Sequence, residues 1–156
     1  MRLPKLTALL LSVSAFVFAS CEKSEDVEAQ NTYVGTTTMS GAQETPAITT
    51  SASGTVEASY NRLSKTLTYK VSFSGLAANA SAAHIHGTAP TGYAAGVLQT
   101  FVGFPAATSG TYSGSLLIDG VKFTESNLLA GLYYVNIHNA TRPAGEIRAQ
   151  ILLTRL

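Results

Sequence analysis

Apolar side chains recur at every second position through most of this chain, in short runs closed by Gly, Asn, Ser or Pro. Leu67, Tyr69, Val71 and Phe73, for example, alternate with Thr68, Lys70 and Ser72. A period of two gives each segment one face for a core and one face turned away from it, which a helix cannot do. Repeated with turn residues between, the pattern predicts an all-β domain, an antiparallel Greek-key-like β-sandwich. About eight strands are expected, over 33–39, 52–60, 66–73, 81–86, 96–104, 111–118, 132–138 and 146–153. One segment breaks the period. Thr124 as N-cap, Glu125 in the first turn and Gly131 as terminator predict one short helix over 124–130.

The alternation begins only at residue 33. Before it, Arg2 and Lys5 precede a nearly unbroken apolar run over 6–19 that ends Phe18-Ala19-Ser20-Cys21. That run is short for a membrane-spanning helix and fits the hydrophobic region of a signal peptide, assigned to 1–20. Cys21 is the only cysteine in the chain, so it has no partner for an internal disulfide. Residues 18–21 resemble a bacterial lipobox, which implies cleavage before Cys21 and lipidation of that residue. The protein is then exported and held by lipid at the outer membrane or cell surface. Residues 21–32 are polar, acidic and without apolar periodicity, and are expected to be a linker to a domain over 33–156.

Removing Arg2 and Lys5 from ten basic side chains leaves eight against nine acidic ones, a formal charge of −1. No basic stripe exists, and nucleic acid is excluded as a partner. No Gly-x-Ser-x-Gly elbow or phosphate-binding glycine loop is present, and no nucleophile stands beside a histidine in sequence. The chain therefore reads as a binding protein of the cell envelope, its ligand extracellular or periplasmic and not specified by these residues.

Chemistry concentrates in two strands. All three histidines lie in Ala83-His84-Ile85-His86-Gly87 and Tyr134-Val135-Asn136-Ile137-His138. Residues two apart on a strand share a face, so His84 and His86 project together about 6.6 Å apart along the backbone. In the second segment Asn136 and His138 share a face opposite Val135 and Ile137. The isoleucines have core character, which places the histidines on the face away from the core. In the last strand Glu146, Arg148 and Gln150 take one face and Ile147, Ala149 and Ile151 the other. Two readings stand side by side. His84, His86 and His138 converge on a metal, copper or zinc by the preference of imidazole, or they form a hydrogen-bonded polar cluster. Asn136, Glu146 and Arg148 would surround such a site. Glu146 and Arg148 either form a cross-strand ion pair or supply a carboxylate partner to His138.

Five motifs in order resemble the CHRD domain, a module named after chordin that also occurs alone in bacterial secreted proteins. They are Gly41-Ala42-Gln43-Glu44-Thr45-Pro46 with Thr50-Ser51-Ala52-Ser53-Gly54, Leu67-Thr68-Tyr69, Ala82 to Gly87, Tyr134 to His138, and Gly145 to Gln150. The resemblance runs over about 38–153 and implies an exported β-rich domain. A looser similarity joins Ala83-His84-Ile85-His86-Gly87 to the copper strand of copper–zinc superoxide dismutase. That resemblance implies copper or zinc and opens a redox role. The chain departs from that enzyme in having only three histidines and no zinc ligands in its 88–98 loop.

Overall fold

The computed structural model describes residues 22–156; the expected signal peptide and lipidated Cys21 lie outside the described residues. The strands are β1 (Thr32–Ser40), β2 (Ser53–Asn61), β3 (Thr66–Ser74), β4 (Ala80–His86), β5 (Val97–Thr100), β6 (Gly110–Leu117), β7 (Tyr134–Asn139), β8 (Arg142–Gln150) and β9 (Thr154–Arg155). All pair antiparallel in one curled sheet of order β5-β4-β7-β8-β1-β2-β3-β6, with β9 also on β1. The chain passes between the β5-β4-β7-β8 half and the β1-β2-β3-β6 half at β3–β4, β5–β6, β6–β7 and β8–β9. The halves are hinged where Ser40 of β1 faces Arg148 of β8.

Curling brings the two apolar faces together. Ile85, Val135, Ile137, Ile147 and Ala149 from one half meet Met39, Val56, Leu67, Val71 and Phe73 from the other in a single cluster, all at most 4% exposed. Gly54 marks the contact. A Cβ there would lie 3.3 Å from the Met39 sulfur and 3.4 Å from Ile147 Cδ1. Phe101 leaves the end of β5 and enters the core, stacked on Tyr69 at 5.1 Å and on Tyr112 at 4.9 Å between centroids. That turn inward, with its N–H on the Ala83 carbonyl, is why β5 stops at Thr100 and not near 104 as the alternation predicts.

The short helix is present as α2 (Glu125–Leu129), capped by Thr124 Oγ1, which accepts from the Asn127 N–H at 3.3 Å. It buries Leu128 and offers Glu125 to the Tyr60 hydroxyl at 2.8 Å and to Arg62 at 2.5 Å. Within the segment expected to be a linker, Glu22–Asn31 is a helix, α1. Its Glu, Lys, Ala and Gln are good helix formers, and lack of an apolar stripe speaks to packing, not to backbone conformation. Its C-terminal end meets the sheet, where the Gln30 carbonyl accepts from Arg155 Nε and the Asn31 carbonyl from the Arg62 N–H. No helix among the described residues is long and apolar enough to cross a membrane.

The last expected strand is two. β8 ends at Gln150, residues 151–153 step out of the ladder, and β9 resumes against Tyr33 and Val34. Gly35 permits this, because a side chain there would collide with the Leu152 carbonyl.

Candidate metal centre

β4, β7 and β8 lie side by side, as the position of the candidate residues requires. His84 faces Asn136, His86 faces Tyr134 and Ala82 faces His138 across β4 and β7. Asn136 faces Arg148, and Tyr134 faces Gln150, across β7 and β8. The alternation therefore assembles His84, His86, Tyr134, Asn136, His138, Arg148 and Gln150 on one face, with the isoleucines on the other.

This face is not turned to solvent, as its polarity suggests. His86, Asn136, Arg148 and Gln150 are all buried, because the segments around 44–48 and 88–95 fold across them. Gln150 Nε2 donates to the carbonyls of Ala89 and Gly131 at 2.9 and 2.6 Å. Arg148 donates to the Tyr93 carbonyl at 2.9 Å, to Thr45 Oγ1 at 3.3 Å and to Gln150 Oε1 at 3.0 Å. Its guanidinium lies 3.4 Å from the centroid of the Tyr134 ring, whose own centroid is 4.8 Å from His86 in a parallel stack of 4°. A buried cation is tolerated there because three of its N–H groups donate to oxygens and it rests on a π face.

The three imidazoles converge. His84 Nδ1 lies 3.0 Å from His138 Nε2, and one ring nitrogen from each of the three lies within 4.8 Å of the others. Ligands on a tetrahedral ion at about 2.0–2.1 Å are about 3.3 Å apart, so the widest pair has about 1.5 Å to close. A χ rotation of a half-buried ring covers that distance.

Backbone carbonyls choose the tautomers. His86 Nδ1 lies 2.9 Å from the Ala95 carbonyl, and His138 Nδ1 lies 3.0 Å from the Pro143 carbonyl. A carbonyl only accepts, so each Nδ1 carries the proton and each Nε2 carries the lone pair. This is the outer-shell arrangement that orients metal-binding histidines. Burial, then the neighbouring His138 and His86, push His84 down to about 4. Burial also lowers His138, against the pull of the Pro143 carbonyl.

Glu146 is elsewhere. The register of β7 and β8 shifts between Ile137 and Asn139, and this irregularity carries the carboxylate away from both His138 and Arg148. It accepts instead from the Ala77 N–H at 3.1 Å, from Thr50 Oγ1 at 2.6 Å and from Asn139 Nδ2. Neither the Glu146–Arg148 ion pair nor the carboxylate partner of His138 forms.

A family model described as the CHRD domain matches residues 35–151, three quarters of the chain and every element of the site. The chain belongs to the CHRD domain family. No curated protein and no solved structure matches it. Two buried groups of this CHRD domain escape sequence reasoning. Tyr134 shares the phase of Asn136 and His138, a signal that was available, but a tyrosine on a strand reads as packing. Glu44 lies in a loop with no period to place it. It is 8% exposed, its Oε1 has no hydrogen-bond partner, and burial raises it to about 7 despite the nearby Arg148 and the Thr45 N–H. A surface concavity of about 890 Å³ on the β1-β2-β3-β6 half is lined by several Ser and Thr beside the Glu57–Lys70 pair and contains no histidine.

Proposed function

We propose that this protein is an exported, lipid-anchored CHRD protein whose domain binds one copper or zinc ion through His84 Nδ1, His86 Nε2 and His138 Nε2. The observation that carries the reading is the convergence of one ring nitrogen from each histidine to within 4.8 Å, with the Ala95 and Pro143 carbonyls holding the Nδ1 protons of His86 and His138 and leaving Nε2 as the donor atom of each. Three neutral imidazoles suit copper and zinc over calcium or magnesium, which prefer oxygen.

The role is binding and not catalysis. Among the described residues, every hydrogen-bond partner of the three rings is a carbonyl, an amide or another imidazole. Such a set holds rings in place and offers no nucleophile to activate. Export and the membrane anchor rest on the apolar run before Cys21.

Equilibrium titration of the mature chain, free of any histidine tag, is the test. It should take up about one equivalent of Cu(II) or Zn(II), and His84→Ala or His138→Ala should abolish uptake with the β-sheet circular dichroism unchanged. Wild-type protein that binds neither ion, or variants that bind as well as wild type, would end the metal reading. In the native host, Cys21→Ser should move the protein from the membrane to the soluble fraction; a wild type already soluble would end the anchor.

A further inference from the structure

Three histidines leave a tetrahedral ion one ligand short, and the face supplies a fourth atom. His86 Nε2 lies 2.9 Å from Asn136 Oδ1, deep in the fold, with Asn136 only 3% exposed. The Nδ1 proton of the ring is committed to Ala95, so the neutral ring turns a lone pair toward that oxygen. Two acceptors at hydrogen-bond distance repel unless a positive centre lies between or beside them. The spacing is also close to the edge of a tetrahedron whose ligands sit about 2.0–2.1 Å from its centre.

The other end of the amide faces Glu44. Gly145, at φ +131°, has no side chain, and a Cβ there would lie 2.5 Å from Glu44 Oε1 and 2.9 Å from Asn136 Nδ2. The amide NH₂ therefore faces the same small space as the partnerless carboxyl oxygen of Glu44. In this orientation Nδ2 lies on the Glu44 side and Oδ1 faces His86.

We infer that Asn136 is the fourth metal ligand, bound through Oδ1, with its Nδ2 on the Glu44 side of the gap that Gly145 leaves. The inference rests on the three-histidine reading and deepens it. The donor set becomes three nitrogens and one amide oxygen, which is the composition of a storage or structural site and not of one with an exchangeable position. An oxygen donor also favours divalent over monovalent copper, because softer sulfur ligands suit the latter.

Water-proton relaxivity of the Cu(II)-loaded mature chain reads the fourth position directly. Wild type should show the low relaxivity of an ion with no bound water. Asn136→Ala should raise relaxivity, as water takes the vacated place, and weaken Cu(II) binding by about ten- to a hundredfold. Asn136→Asp, which keeps the oxygen and the shape, should bind at least as tightly as wild type with relaxivity still low, and it separates ligand loss from misfolding. Wild-type protein that binds Cu(II) with a bound water would overturn this inference and leave the three-histidine site standing. So would weaker binding in Asn136→Ala with relaxivity unchanged, the signature of a merely structural amide. No Cu(II) binding by wild type, by contrast, would remove the site as a whole.

Discussion

Glu44 shows how much this fold commits to its polar face. Its carboxyl is held at about 7 against an ordinary 4.5, chiefly by burial. The folded chain therefore holds a proton that the unfolded chain has already released between those two pH values. Stability from this group is complete below about pH 4.5 and is lost as pH rises through 7, by about 3 kcal/mol. His84 acts in the opposite sense, since its lowered value removes stability as pH falls from 6.5 toward 4. Comparing variant with wild type at each pH isolates Glu44. Glu44→Gln should match wild type in urea unfolding at pH 4 and exceed it by up to about 3 kcal/mol at pH 8. A difference that does not change with pH would show that the carboxyl is not held neutral by burial. The residues legible in advance are those with a strand phase: His84, His86, Asn136, His138 and Arg148 stand on one face because a period of two puts them there. The carbonyls of Ala95 and Pro143 are invisible to that logic, since any residue has one. Glu146 fits the phase and still misses the site, because the irregularity beside His138 breaks the count.

At the scale of elements, the alternation locates eight of the nine strands, its break and the Thr124 cap locate α2, and the pattern fails where tertiary contacts override it. β5 is cut short by Phe101 turning inward, and β9 is split from β8 by the step at Leu152. Burial of the histidine face was not legible either, because polar residues on a strand look solvated until something covers them. The cover depends on Arg148, which ties Tyr93 and Thr45 to β8 and stacks on Tyr134. Arg148→Ala strips those partners of their donors and should cost about 3 kcal/mol in urea unfolding. Arg148→Lys should recover little, since an ammonium has neither the fork nor the flat face. Hydrogen exchange should localise the effect, with the Ala95 N–H, which donates to Tyr134 Oη at 3.0 Å, losing protection first. Full stability in either variant would mean that the segment over 88–95 is held by other means.

The whole molecule divides its labour between the two faces of one half-sheet. Where β5-β4-β7-β8 curls over the rest, its inner face closes the apolar core and its outer face carries three imidazoles under a cover of loops. The core makes the strands rigid, and rigid strands can hold ring nitrogens at ligand spacing without a metal to gather them. Because the chain has only three histidines, that claim can be read ring by ring. Long-range ¹H–¹⁵N correlation of the histidine-labelled mature chain should show His86 and His138 as Nδ1–H tautomers before metal is added. One equivalent of Zn(II) should then shift Nε2 of those two rings and Nδ1 of His84, with the proton-bearing nitrogens of His86 and His138 nearly unmoved. Rings that carry their protons on Nε2, or spectra indifferent to Zn(II) and Cu(II) alike, would contradict the account at its centre.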